Sequence, residues 1–403
     1  MTELDPYRAA EARALGRLTG VEVGSAVDGV AAVHRAISDR VFAAVRLGVG
    51  PAAAPVKVAH DAISQAVYRT IGMTAGVVGR VAGEAGGLAG VTPSRTALGA
   101  GVLSAVQGLI GDTLADHEPL LASPMTLRMD GAPVPPAAAA EHCERVRGRL
   151  VIFLHGLAES EYAWRWGGRT AYGELLEHDL DCTSLQVRYN TGLRIHDNGA
   201  DLAELVDALV ESWPLPVESI AFVGHSMGGL VVRSACHQAV AAGASWVDHV
   251  THVVCLGSPH AGAPLEQFVH YAATALELLP ETRPFARLLR RRSAGIRDLR
   301  HAALVESDWD GVDPEALSRP PVTELPPLPG SAYYYVGATL TENPEHLVGK
   351  LIGDGLVRVA SATGSGGTHE IEFAVAALLP GAHHLALLNH PTVYHYLLEW
   401  LKA

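Results

Sequence analysis

Short apolar runs recur through the second part of the chain, and turn-forming or polar residues bound each of them. Continuous apolar runs of this length are typical of strands that are buried on both faces of a parallel sheet. Helical periodicity separates several runs, as in residues 202–209. The alternation predicts an α/β fold with a mostly parallel central sheet and helices on both faces. The runs are 149–154, 183–187, 220–223, 250–256, 332–337 and 371–378.

The first part of the chain has a different pattern. Residues 1–118 are rich in alanine, glycine and valine, and Val30, Val33, Ile37 and Val41 recur at the three- and four-residue steps of an amphipathic helix. We expect a helical region here that either caps a site or docks on lipid, or that packs as a layer on the main domain. Amphipathic stripes usually face a core, which favours the layer.

Pro119 and Pro124 mark the end of the region rich in alanine, glycine and valine. The pattern of residues 125–134 then predicts a hairpin that turns on Asp130-Gly131. The main domain is therefore expected to span residues 119–403.

Composition narrows the classes of function. The chain has 403 residues, of which 48% are apolar and 18% charged, and a net charge of -13. Such a balance disfavours nucleic acid or an anionic membrane as the main partner. The four cysteines show no C-x-x-C spacing, so buried free thiols are expected. The start has no secretory signal and no apolar run reaches about 18 residues, so we expect a cytoplasmic protein.

Candidate chemistry centres on residues 219–232. An apolar strand pattern leads into Gly224-His225-Ser226-Met227-Gly228, which fits G-x-S-x-G, and an apolar helix pattern follows. A sharp turn between strand and helix lifts a serine hydroxyl clear of its neighbours. The first amide of the helix, that of Met227, is then free to stabilise an oxyanion. The pattern predicts that Ser226 is a nucleophile.

Five motifs follow one another in a recognisable order: H-G-L at 155–157, G-H-S-M-G-G at 224–229, L-G-S-P-H-A-G at 256–262, G-D-G-L-V at 353–357 and H-H-L-A-L-L at 383–388. Over residues 124–403 the order resembles the α/β-hydrolase superfamily. Within it, the chain resembles bacterial lipases and esterases related to triacylglycerol lipases and to the GPI-inositol deacylase group. The resemblance implies an α/β-hydrolase fold, with a helical lid insertion at about 264–328 and an N-terminal helical extension outside the common core.

A nucleophilic serine needs an imidazole as base and a carboxylate that orients the imidazole. The resemblance assigns the carboxylate to Asp354, in an Ile352-Gly353-Asp354-Gly355 loop. The alternative is an Asp-Gly turn without a chemical role. Asp308, Asp310 and Glu266 are rivals, but each lies in a region that is typical of a lid or a loop.

The base is expected on the loop after the last strand, where His383 and His384 are adjacent among 20 histidines in the chain. His384 begins the family-like H-L-A-L-L pattern and is the predicted base, with His383 as the alternative. In relatives the residue after H-G gives the second oxyanion amide, which corresponds here to Leu157.

Three further histidines are candidates to line the substrate pocket: His155, His225 and His260. His155 has an alternative interpretation as a residue that shapes its turn. His260 has one as a residue bonded to nearby backbone.

The residues and the resemblance together predict a serine hydrolase of the lipase or esterase type that cleaves carboxylic esters through an acyl-enzyme. The substrate would be a small-molecule or lipid ester, and no metal or cofactor is needed. An acyltransferase with the same site, or a non-catalytic hydrolase fold that binds lipid or protein, are the alternatives. Arginines 290–292 suggest peripheral contact with lipid, although charge runs are usually solvated. The oligomeric state stays open.

Overall fold

The fold rests on one eight-stranded sheet. In this computed structural model, residues 57, 92–117, 119–260, 262, 293–313, 322–339, 341–342 and 371–402 are described. Strand order is β2-β1-β4-β3-β5-β6-β7-β8, and all pairs from β4 to β8 are parallel. The two pairs that β1 makes, with β2 and with β4, are antiparallel. The strands are β1 Thr126–Met129, β2 Ala132–Val134, β3 Arg149–Leu154, β4 Thr183–Arg188, β5 Ser219–His225, β6 Val250–Leu256, β7 Ala332–Thr339 and β8 Val375–Pro380.

The predicted α/β-hydrolase fold class is confirmed. Each apolar run contains a strand, although β8 begins four residues later than its run. The hairpin of β1 and β2 turns on Asp130 and Gly131, which both have positive φ angles. All four cysteines are free.

Helices cover both faces of the sheet. Side chains of β3 alternate between two apolar clusters, because successive residues of a strand point to opposite faces. Ile152 belongs to the cluster that holds α3 and α4, whereas Phe153 belongs to the one that holds α2 and α6. The helices are α1 Ala97–His117, α2 Tyr172–Asp179, α3 Ile195–Ser212, α4 Met227–Ala242, α5 Ala294–His301 and α6 Pro391–Trp400.

The chain divides into two compact units, Met1–Val102 with Val269–Arg291, and Leu103–Phe268 with Arg292–Ala403. Apart from residues 57 and 92–102, all described residues belong to the second unit, which carries the whole sheet. The amphipathic stripe at 30–41 and arginines 290–292 lie outside the described residues. The domain boundary at 118 and the lid stay predictions.

Described residues of the predicted insertion contact the rest of the second unit. The buried carboxylate of Asp298 in α5 accepts hydrogen bonds from the Ile195 amide at 2.7 Å and the Trp309 indole at 2.7 Å. It also pairs with Arg194 at 3.1 Å. Burial raises the pKa of Asp298 to about 7, against the opposing effect of the Arg194 charge. The carboxylate therefore joins α5 to the start of α3.

Residues 103–117 of α1 pack on the loop that follows β4. Asn190 donates from Nδ2 to the Gly111 carbonyl at 2.9 Å, and its Oδ1 accepts from the Gly192 amide at 3.0 Å. A Cβ added at Gly111 would lie 2.0 Å from Asn190 Oδ1. The Ser293 hydroxyl donates to the carbonyl of Gly108 at 2.6 Å. The missing side chain of Gly111 therefore leaves room for the Asn190 side chain against α1.

Among the described residues, α1 is the one helix long and apolar enough to cross a membrane by length and composition, with a mean hydropathy of 1.3 and 44% of its most apolar stretch buried. Buried core helices pass the same test. Its buried Gln107 donates a hydrogen bond to the Leu121 carbonyl at 2.5 Å. The contacts of residues 103–117 are those of a core helix.

Two glycines of α1 allow a matched test of this contact. We expect Gly111→Ala to lower the free energy of unfolding by about 1–3 kcal/mol, because Asn190 is buried and must break two hydrogen bonds to make room. Gly101 is exposed with no described atom near its added Cβ, so Gly101→Ala should raise that free energy by about 0.5–1 kcal/mol. Urea unfolding measures both, and equal effects would contradict the packing.

Candidate active site

Ser226 occupies a sharp turn between β5 and α4. Its backbone has φ 50° and ψ -117°, a conformation that an L residue adopts only where the surroundings hold it. The Ser226 amide donates to the Leu256 carbonyl at 2.8 Å. A Cβ added at Gly224 would lie 2.4 Å from the Gly229 amide nitrogen, and one at Gly228 would lie 2.5 Å from the Leu154 carbonyl oxygen. Both glycines of the pentapeptide are therefore needed for backbone contact.

His384 lies at the carboxyl ends of β5 and β6. It opens a short 3₁₀ helix, His384–Leu388, and its side chain is buried. Its ring centroid lies 4.8 Å from that of His225, the residue before Ser226. A Cβ added at Gly257, which has φ 66°, would lie 2.8 Å from His384 Cε1. The structure therefore places His384 beside the turn that carries Ser226.

His383 has a different environment. It is exposed, and its ring packs edge-on against Trp166 at a centroid distance of 6.3 Å. Of the two adjacent histidines, only His384 is buried at the strand ends, which favours it as the base.

The predicted carboxylate, Asp354, lies outside the described residues, as does its rival Glu266. Asp308 is described, and its carboxylate accepts backbone amide hydrogens from Leu304 at 2.8 Å, Val305 at 3.2 Å and Thr323 at 2.6 Å. These bonds give Asp308 a structural role in joining two loop segments. Asp310 lies in the turn that directly follows the short 3₁₀ helix Glu306–Trp309.

The predicted oxyanion donors lie on the loops that follow β3 and β5. The Leu157 amide has no acceptor among the described residues, whereas the amides on either side are occupied. The Gly156 amide donates to Glu159 Oε2 at 2.7 Å, and the Ala158 amide donates to Thr191 Oγ1 at 3.1 Å. Met227 is the first residue of α4, so its amide has no acceptor within the helix. These two amides can donate to a developing negative charge.

His155 supports the first of these loops. Its ring is fully buried and stacks on Tyr189 at a centroid distance of 4.5 Å. Nδ1 faces the Gly156 carbonyl at 3.0 Å, and the Tyr189 amide donates to Nε2 at 3.4 Å. Burial lowers the pKa of His155 to about 4, although the Gly156 hydrogen bond opposes the shift. The neutral ring fits a role in shaping the turn better than one in a pocket.

His260 is also fully buried. The Arg233 guanidinium donates to its Nδ1 at 3.2 Å, and the ring packs against Tyr335 and Phe373. Arg233 also donates to the Leu325 carbonyl at 2.8 Å. These contacts favour a structural role for His260, whose amide also donates to the Ser258 carbonyl at 3.1 Å.

A pair that the motifs do not predict adjoins Ser226. His225, a candidate for the substrate pocket, is fully buried, and its Nδ1 lies 2.9 Å from Glu159 Oε2. Its Nε2 faces the His384 carbonyl at 3.4 Å. Burial raises the pKa of Glu159, but the charge and hydrogen bond of His225 together with the Gly156 amide outweigh it, so the pKa lies below its usual value. The only hint in the sequence is an acidic residue just after H-G-L.

Within the described ranges, no group of three or more His, Cys, Asp and Glu side chains is arranged to hold a metal ion.

Comparisons with known proteins agree with this fold. Residues 145–310 match the model of a family described as a PGAP1-like alpha/beta domain. No curated protein sequence matches the chain. With the sheet order, the family match confirms the predicted resemblance at the level of the fold: the chain has the α/β-hydrolase fold, and residues 145–310 are similar to the PGAP1-like alpha/beta domain.

Similar solved structures include a mature lipase from Bacillus licheniformis, which is 18% identical with a TM-score of 0.40, over 68% of this chain and 99% of its own. A phospholipase from Legionella pneumophila is 16% identical with a TM-score of 0.41, over 63% of this chain and 59% of its own. An esterase from Pyrococcus furiosus is 15% identical with a TM-score of 0.32, over 63% of this chain and 81% of its own.

Gly257 offers a test of where His384 lies. We expect Gly257→Ala to slow the labelling of Ser226 by a fluorophosphonate at least about tenfold, because the new methyl group would displace the imidazole. Gly311 is the matched control, since it has φ 67° and no described atom near its added Cβ. Gly311→Ala shares the backbone strain but should label at the wild-type rate. Equal labelling rates of the two variants would contradict the placement.

Proposed function

We propose that this chain hydrolyses carboxylic esters through an acyl-enzyme, with Ser226 as nucleophile, His384 as base and Asp354 as the carboxylate that orients the imidazole. The observation that carries the proposal is the strained backbone at Ser226, which is held between two glycines in backbone contact. Strain of this kind persists at functional sites because it presents a reactive group.

In the proposed reaction, Ser226 Oγ attacks the ester carbonyl carbon while its proton passes to His384 Nε2. The amides of Leu157 and Met227 donate to the oxyanion of the tetrahedral intermediate. Collapse of the intermediate breaks the bond to the leaving oxygen, which takes the proton from His384. Water then attacks the acyl carbon while His384 takes its proton, and collapse of the second tetrahedral intermediate breaks the bond between the acyl carbon and Ser226 Oγ. His384 returns the proton to Ser226 Oγ, and the acid leaves.

The surroundings of His384 support its part in this scheme. It is buried beside His225 and Gly257, while the adjacent His383 faces solvent. Asp354 rests on its motif and on the chain order serine, acid, histidine. The substrate class proposed is a small-molecule or lipid ester.

Replacement of the nucleophile tests the proposal directly. The Ser226→Ala protein should fold and lose at least about 10³-fold in kcat on p-nitrophenyl esters of short to long acyl chains, because no acyl-enzyme can form. Ser212→Ala, at the end of α3, makes the same change away from the site and should keep full activity. Wild-type kcat in Ser226→Ala would reject the proposal. Product analysis with an added alcohol distinguishes hydrolysis from acyl transfer.

The dependence on pH tests the imidazole base. Because the base must be unprotonated to accept the serine proton, kcat/KM should fall as the pH drops below about 7, the range in which imidazole takes up a proton. The measurement is kcat/KM for one p-nitrophenyl ester between pH 5 and 9, restricted to the range in which the protein stays folded. A flat profile down to pH 5 is incompatible with this base.

A further inference from the structure

The Glu159 carboxylate joins the two loops that carry the proposed oxyanion donors. A single oxygen, Oε2, accepts from the Gly156 amide at 2.7 Å and faces His225 Nδ1 at 2.9 Å. Gly156 directly precedes Leu157 on the loop after β3, whereas His225 is the last residue of β5 and is two residues before Met227. The oxygen therefore connects the residue before Leu157 to the residue two before Met227.

The space between these loops is already filled. A Cβ added at Gly156 would lie 3.0 Å from His225 Nδ1, 3.0 Å from Ser226 Cβ and 3.1 Å from Glu159 Oε2. The side chains of Glu159 and His225 are 13% and 0% exposed. Little solvent reaches the carboxylate, so protein donors must satisfy it.

The rest of the loop is fixed from its other side. The Ala158 amide donates to Thr191 Oγ1 at 3.1 Å, and Ala158 has φ 60°. A Cβ added at Gly108 would lie 2.8 Å from the Ala158 Cβ. Thr191 and α1 therefore set the position of the loop relative to β4, but neither of these contacts joins it to β5. Glu159 makes that connection.

We propose that Glu159 is a positioning residue for ester hydrolysis, which holds the Leu157 and Met227 amides at the separation that a tetrahedral oxyanion requires. The inference rests on the proposed function. Glu159 acts through Gly156 and His225, so it need not touch the substrate.

Charge alone does not account for this placement. A carboxylate close to an oxyanion repels it, which would slow the reaction if the charge acted directly. Two donors directed at Oε2 offset the carboxylate charge, and a carboxylate accepts from both without needing a hydrogen of its own. The carboxylate therefore contributes by fixing the positions of its two donors, and this contribution outweighs its repulsion of the oxyanion. A glutamine whose carbonyl oxygen takes the place of Oε2 still accepts from both donors, but as a neutral amide it holds them more weakly than a carboxylate does. The opposite orientation of its amide presents NH₂ to both donors and leaves each without an acceptor.

The experiment compares Glu159→Gln with Glu174→Gln. Glu174 lies on α2 and pairs with Arg165 at the surface, so its replacement makes the same chemical change away from the site. For Glu159→Gln we expect kcat on p-nitrophenyl butyrate to fall about tenfold to a hundredfold, since displacement of a donor by about 1 Å has effects of that size. KM should stay within about twofold, and the acid limb of the pH profile should not move. Glu174→Gln should match the wild type.

Glu159→Asp keeps the charge beside His225 but has one methylene less, so it cannot reach both donors at the present distances. Its kcat should also fall, which keeps the inference testable if Glu159→Gln does not fold. Wild-type kcat in either folded variant, or a rise in KM with kcat unchanged, would overturn the inference. Failure of both variants to fold would make Glu159 a folding residue and overturn it too.

Ser226→Ala is measured in the same series to separate the two proposals. Hydrolysis that survives in Ser226→Ala rejects the proposed function. Hydrolysis that is lost in Ser226→Ala but runs at the wild-type rate in folded Glu159→Gln rejects only the role of Glu159.

Discussion

Direct backbone contact between β3, β5 and α4 is the constraint on which the rest of the site depends. An added Cβ at Gly224 would lie 2.4 Å from the backbone of a neighbouring segment and one at Gly228 would lie 2.5 Å away, closer than a hydrogen-bonded atom. Because protein interiors are close-packed, neighbouring atoms could make room for such a Cβ only by a shift that lowers the stability of the fold. Because β3 and β5 are adjacent and parallel, the loops after them leave the same edge of the sheet. The turn at Ser226 and the Leu157 loop therefore meet there.

Because these segments are in close contact, polar side chains on the loop after β3 are buried. The loop after β3 carries two acidic residues that are largely removed from water, and each has a basic partner: Glu159 has His225, and Glu161 has Arg188. Arg188 donates from Nε to Glu161 Oε2 at 2.6 Å and from Nη2 to Oε1 at 2.5 Å, with both side chains buried. A paired buried charge contributes little net stability, but removal of one partner is costly. Such pairs fix a loop in one position.

The sequence predicts the parts of this structure that depend on local pattern. Strands β3 and β5 follow from continuous apolar runs, and the turn at Ser226 follows from glycine spacing. Glu159 and His225 are 66 residues apart, and nothing in either neighbourhood marks them as partners. The packing of α1 cannot be predicted from the sequence for a related reason. Gly111 allows this packing because it has no side chain, and the requirement for glycine becomes visible only when the position of Asn190 is known.

Two regions that are predicted to lie outside the common hydrolase core contact the same loop after β4. From the predicted N-terminal extension, Gly111 of α1 lies against Asn190. From the predicted insertion, a Cβ added at Gly295 of α5 would lie 2.2 Å from the Thr191 carbonyl oxygen and 3.1 Å from Met227 Cε. The two helices also bond directly, since the Ala294 amide donates to Asp112 Oδ2 at 2.9 Å. Thr191 in turn holds the Ala158 amide, so its side chain links the loop after β4 to the Leu157 loop, and Gly108 of α1 lies directly against Ala158. The described parts of both regions thus belong to the support of the site.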